Sequence, residues 1–139
     1  MSPVARGRSV FVLGILGIFA VLAALKIVPR LTVNHEQARR AAAQMQIDAF
    51  ESALRAFVTD NGFYPAGGNG LSNLLQAPRD ATHWHGPYLQ GEIPLDPWGR
   101  PYVYEQPGKH RPATYDLVSM GPNGRIGDDD DITNWQQKK

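Results

Sequence analysis

The stretch "PYVYEQPGKHRPATYDLVSM", residues 101–120, decides the fold. In "PYVYEQ" (101–106) Tyr102 and Tyr104 alternate with Val103, and "TYDLVSM" (114–120) follows after the turn-forming "PGKHRPA". Alternation with period two, in runs rich in aromatic and β-branched residues, predicts two strands joined as a hairpin or small antiparallel sheet. So small a sheet is not stable alone and needs a helix to complete its core.

The helix lies upstream. From Leu31 to about Asp60, Ala38, Ala42, Met45, Ala49, Ala53 and Phe57 recur every three to four residues, and Phe50 and Leu54 widen the stripe. That spacing predicts an amphipathic helix with this stripe against the core. Glu36, Arg39, Arg40, Asp48, Glu51 and Arg55 occupy much of the rest, with Glu51 and Arg55 in favourable i,i+4 order. In "TDNGFYP" the pair Asn61-Gly62 signals a C-cap, and Pro65 prevents resumption.

Further upstream, "SVFVLGILGIFAVLAALKIVP" (9–29) is apolar from Val10 to Leu25. With Lys26 snorkelling, it reaches the roughly 20 residues of a membrane-spanning helix. A cleaved secretory signal is the competing reading, but the apolar core is long for one and "AAL" is a poor cleavage site. The membrane anchor is therefore the expectation, with Pro29 kinking the helix between its two halves. Arg6 and Arg8 flank one end and Lys26, Arg30, Arg39 and Arg40 the other, so charge alone does not orient the span.

The 139 residues suit one domain, and a net charge of +1 gives no basic field calling for nucleic acid. Cysteine is absent, which excludes disulfides and thiolate metal sites. The segment 66–101 is dense in Gly and Pro, with one helical turn expected around Leu71–Leu75. Catalytic signatures are thin. Ser72 and Ser119 lack a nucleophile elbow, and His83 and His85 in "HWH" read as loop residues rather than a zinc site. Glu92, Asp96 and Glu105 pair only if tertiary structure brings them together, so no enzyme is expected.

Downstream of the strands stands "GPNGRIGDDDDITNW" (121–135), with four consecutive aspartates. Adjacent like charges repel, so the run is either a solvated loop or the seat of a cation. Calcium takes six to eight oxygens from carboxylates and carbonyls of a tightly turning loop. Gly121, Gly124 and Gly127 supply turns, Asn123 a neutral oxygen and the aspartates charge, although the spacing is not that of an EF-hand. Ile132 and Trp135 immediately afterwards imply that the far end is docked.

Taken in order, the apolar helix running into an amphipathic one, "DNGFYP", "GLSNLL", "GPYLQGEIPLDPWGRPYVYEQPGKH", "YDLVSMGPNG" and "DDDDITNW" resemble the major pseudopilins of type II secretion systems. The resemblance covers essentially residues 20–135 and is most specific in "PLDPWGRPYVY", "YDLVSMG" and "DITNW". It implies an α+β, type IV pilin-like fold: a long N-terminal helix packed on a small antiparallel sheet with a C-terminal calcium loop. The organisation it implies is a short basic leader-like segment (1–8), a transmembrane and assembly helix (9–30) and a periplasmic domain (31–139). The implied function is a structural subunit of a helical fibre, the pseudopilus, which drives protein export across the outer membrane. Partners would be copies of itself, other pseudopilins, the inner-membrane assembly platform and the membrane, with no nucleic acid. A single-pass protein of the bacterial inner membrane is implied, with Arg6 and Arg8 inside.

Carried over to this chain, the resemblance implies one Ca2+ held by the Met120 and Arg125 carbonyls, Asn123, and the carboxylates of Asp129 and Asp131, with Asp128 next and Asp130 last. Asn123 stands where the family usually has Asp. Processing would fall after Gly7, leaving Arg8 as the first, methylated residue. Val12 then stands where the family has a glutamate, and no acidic residue occurs in residues 1–35. That departure leaves room for an accessory or minor pseudopilin, and a non-polymerising, membrane-anchored calcium module is the alternative from another class.

Overall fold

The computed structural model describes residues 35–135. The chain divides into two units, Met1–Ala38 and Arg39–Lys139, and apart from residues 35–38 the architecture below lies in the second. The expected membrane helix, Pro29, Gly7, Arg8 and Val12 lie outside the described residues. Among the described residues no helix is long and apolar enough to cross a membrane.

Helix α1 covers residues 35–61. It ends as its sequence requires: Gly62 takes φ +80°, which L residues rarely adopt, and its N–H donates to the Val58 carbonyl at 2.8 Å. The Asn61 side chain caps a second carbonyl, that of Phe57, at 3.0 Å. The core face of α1 is formed by Ala43, Ile47, Phe50, Ala53, Leu54 and Phe57, all buried.

This corrects the expected stripe. Ala53, Phe57, Phe50 and Leu54 do face inward, but Ala38, Ala42, Met45 and Ala49 are exposed, Met45 by 72%. Both faces of the helix carry apolar residues, so the recurrence fits two rotational phases. The larger side chains Ile47, Phe50 and Leu54 decide between them, because they bury more apolar area per position.

After Pro65 a 3-10 turn, Gly70–Leu74, closes over the sheet edge. Gly70 is required there, since a Cβ would lie 2.3 Å from the Tyr104 ring. The sheet has the order β1 (Val103–Glu105), β2 (Asp116–Ser119), β3 (Ile132–Thr133), all antiparallel. Val103 pairs with Val118, and Ser119 pairs with Ile132. All four residues of the central strand β2 are buried.

Helix and sheet meet through aromatic rings. Phe50 meets Tyr102 edge-on at 5.1 Å, and Tyr104 stacks on Tyr115 at 5.5 Å. Buried rings must place their hydroxyls. Tyr104 donates to the Pro65 carbonyl at 2.8 Å, and Tyr102 donates to Gln46 of α1.

Strand β3 is two residues long, and Asn134 secures it. Its N–H donates to the Leu117 carbonyl at 3.0 Å, and its side-chain oxygen accepts the Leu117 N–H at 2.9 Å. Arg111 adds a clasp, donating from one nitrogen to Glu51 of α1 (3.2 Å) and to the Asn134 carbonyl (3.1 Å). Trp135 stacks on His110 at 4.2 Å. The far end of the acidic run is thus docked.

Candidate functional site

The acidic loop connects β2 to β3, and its root is built by "DPWGRP". Asp96 is 4% exposed, and its Oδ1 accepts the N–H groups of Trp98 (3.0 Å) and Arg100 (2.8 Å). Its Oδ2 accepts the hydroxyl of Ser119, the fully buried last residue of β2, at 2.7 Å. One buried carboxylate therefore organises the turn and ties it to the strand from which the loop departs. Arg100 continues the connection, donating to the Gly121 carbonyl and, at 3.1 Å, to that of Pro122.

Within the loop Gly121, Gly124 and Gly127 have φ of +58°, +71° and +97°. Gly121 admits no side chain, since a Cβ there would lie 2.3 Å from the Asp130 carbonyl oxygen. The Gly124 N–H returns to the Met120 carbonyl at 3.2 Å.

Asn123 sits at the centre. Its side-chain NH2 donates to Asp128 (2.8 Å) and Asp130 (2.6 Å), and its Oδ1 accepts the Arg125 N–H at 2.6 Å. Hydrogen bonding to Asp130 and then Asn123 holds the Asp128 carboxyl below the usual carboxylate range. The same contact with Asp128 pushes Asp130 up. On the far side Asp131 Oδ2 accepts the Gly127 N–H at 2.6 Å, while its Oδ1 is buried without a hydrogen-bond partner.

The expected site residues are therefore placed unevenly. Asn123, Asp128, Asp131, the Met120 carbonyl and the Arg125 backbone all border the loop interior. Asp129 is exposed and stands apart from this network, whereas Asp130, expected last, shares Asn123 with Asp128. Among the described residues no three acidic or histidine side chains converge as a metal group, so an ion here would rely on carbonyls as well as carboxylates. Apart from the Asn123 amide, which turns its NH2 to the carboxylates, the available ligand atoms are oxygens, and a buried carboxylate oxygen without a donor costs more than about 1–3 kcal/mol unless something positive reaches it. On that ground the residues fit a hard cation.

Asp96 and Arg100 were not read from the sequence as loop supports. An Asp-Pro-x-Gly turn was the available signal, because Asp side chains hydrogen-bond backbone two residues on. His83 and His85 are exposed. His83 meets the Thr82 hydroxyl at 3.1 Å, and His85 lies 3.5 Å from Asp60. Glu105 pairs with Lys109 at 3.1 Å.

A helix packed on a three-stranded antiparallel sheet, with a glycine-hinged acidic loop between the last two strands, defines a pilin-like protein. The family described as type II secretion system (T2SS), protein G, matches residues 30–135, and the chain belongs to that family. Type II secretion system core protein G of Escherichia coli (strain K12) is 42% identical over 126 residues, covering 88% of this chain and 84% of that protein. The core protein G of Aeromonas hydrophila is 40% identical over 131 residues, covering 91% and 87%. The crystal structure of the major pseudopilin from the type 2 secretion system of enterohaemorrhagic Escherichia coli superposes with a TM-score of 0.63 at 31% identity. It covers 77% of this chain and 95% of that one.

Proposed function

We infer that this chain is a structural subunit of a type II secretion pseudopilus, acting in the cell envelope by assembling with copies of itself and with other pseudopilins. The observation that carries this reading, beyond family membership, is the outward face of α1. Opposite the core-facing residues, Ala41, Ala42, Met45, Ala49, Ser52 and Ala56 are all exposed. A helix apolar on two faces is suited to burial on both. Its small side chains let neighbouring helices approach closely, with the charged side chains of Asp48 and Arg55 exposed beside them.

The continuation of this helix into the inner membrane, through residues 9–30, and the periplasmic placement of residues 31–139 are part of the same proposal. So is processing after Gly7 with methylation of Arg8. Filaments seen by electron microscopy, on co-expression of the full-length chain with an inner-membrane secretion platform and companion pseudopilins, are the expected result. Cells producing stable chain and no filaments would contradict it.

We also propose that the acidic loop binds calcium. Asp128, Asp130 and Asp131 would hold it with Asn123 and the Met120 and Arg125 carbonyls; the ion would supply the positive charge that closes the loop. A ligand bound only by the folded state stabilises it by about 2.7 kcal/mol at a hundredfold excess over Kd. Chelator should therefore lower the melting temperature of the full-length chain in detergent micelles. Asp131→Ala should reproduce the loss, and Asp129→Ala should change melting least. Melting that is indifferent to chelator removes the calcium proposal and leaves the assembly reading standing.

A further inference from the structure

Arg100 has a use that neither the fold nor a bound cation explains. Its backbone N–H is held by Asp96, itself locked to Ser119. From that anchored base its guanidinium reaches across to the first two carbonyls of the acidic loop, those of Gly121 and Pro122. Gly124 is shaped to it from the other side: a Cβ there would lie 2.7 Å from both Cζ and Nε of Arg100. The guanidinium is therefore seated, touching loop backbone while the aspartates turn to Asn123 and Gly127.

We propose that Arg100 is a positioning residue for the acidic loop, its guanidinium holding the Gly121 and Pro122 carbonyls so that the loop keeps its turns without a metal ion. An unbraced run of four aspartates opens by self-repulsion, and a cation must then meet the cost of ordering the loop. A loop already ordered avoids most of that cost. Hydrogen bonds from a charged donor are the stronger kind, and the planar fork of Arg spans two carbonyls where the point charge of Lys does not.

The test is amide hydrogen exchange on the full-length chain in detergent micelles with chelator present, comparing the unmodified protein with Arg100→Gln, Arg100→Lys and Gly124→Ala. The probes are the N–H groups of Asn123, Gly124 and Arg125, which are bonded within the loop to Asp130, Met120 and Asn123. Loss of the brace should speed their exchange about tenfold or more in Arg100→Gln, with a smaller effect in Arg100→Lys. Gly124→Ala keeps the charge but unseats it and also strains the left-handed turn at φ +71°, so it should speed exchange at least as much as Arg100→Gln. Amides of α1 and β2 should keep their protection in Arg100→Lys. Loop amides equally protected in all four proteins would overturn the proposal, as would a uniform loss across α1 and β2 in Arg100→Lys. Because the comparison is made in chelator, a missing calcium effect counts against the calcium proposal and not against this one.

Discussion

Asp116 is a charged side chain in the central strand, 5% exposed, and it is stable there because its neighbours are donors. Burial raises its pKa, but the His110 N–H (2.8 Å), the His110 ring (3.0 Å) and the Arg111 N–H (3.0 Å) outweigh it, leaving the carboxyl below 3.8. A depressed folded value means that Asp116 stabilises the fold above the ordinary carboxylate pKa and loses that contribution as pH falls through the folded one. Asp116→Asn should therefore destabilise the chain at neutral pH by about 1–3 kcal/mol, and less at acid pH. Melting curves between pH 7 and pH 2 check this, and a constant difference across that range would contradict it. The acidic loop teaches a related lesson. Its composition announced a cation or a solvated run, but which aspartates face inward depends on turns at Gly121, Gly124 and Gly127. Three left-handed residues in seven reset the side-chain directions, so Asp130 reaches Asn123 while its neighbour Asp129 faces water.

At the level of elements, α1 was legible in existence and in its end but not in rotation. Alanines recur on both faces, and only packing against Tyr102, Tyr104 and Leu117 selects one. This phase makes a sharp contrast between near neighbours: Ile47→Ala should cost about 2–5 kcal/mol as a core truncation, and Met45→Ala about 0.5 kcal/mol or less as a surface change. Denaturant unfolding of the two variants measures it, and equal losses would contradict the phase. Strands β1 and β2 were legible from their alternation, within runs slightly longer than the strands themselves. Strand β3 was not, because two residues carry no period; only the docking of "ITNW" was. The tyrosines that join these strands to α1 predict an alkaline limb. Burial is the leading cause that pushes Tyr102, Tyr104 and Tyr115 well above 10.0. Their contribution is thus intact below pH 10 and is lost as pH rises further. Phenolate absorbance should then rise together with unfolding; ionisation of all five tyrosines in a chain that stays folded would contradict their burial.

On the scale of the whole molecule, one chain presents two surfaces with different tasks. The sheet side of α1 completes a small core, and the opposite side exposes Ala41, Met45, Ser52 and Ala56 with Asp48 and Arg55 beside them, the face we propose to meet another copy. Assembly through such a face would rest mainly on small apolar side chains, and Val12, where the resemblance sets a glutamate, would offer no charge-specific contact in its place. Packing among apolar helices in lipid draws specificity from shape and from few polar groups. We therefore expect this subunit to enter fibres more readily with companion pseudopilins than alone, and Val12→Glu to raise its filament yield without them. The family and fold were readable because the motifs around the turns, not the helix, are distinctive. The central claim, that the outward face of α1 packs against other copies in a fibre, is tested most directly by disulfide crosslinking. The chain has no cysteine, so Met45→Cys introduces a single thiol. Oxidation in membranes of cells that also make the secretion platform and companion pseudopilins should give covalent dimers of this chain, and a thiol at Lys109, in the exposed turn between β1 and β2, should give fewer. Monomer alone from Met45→Cys, in cells where filaments are present, would contradict the account.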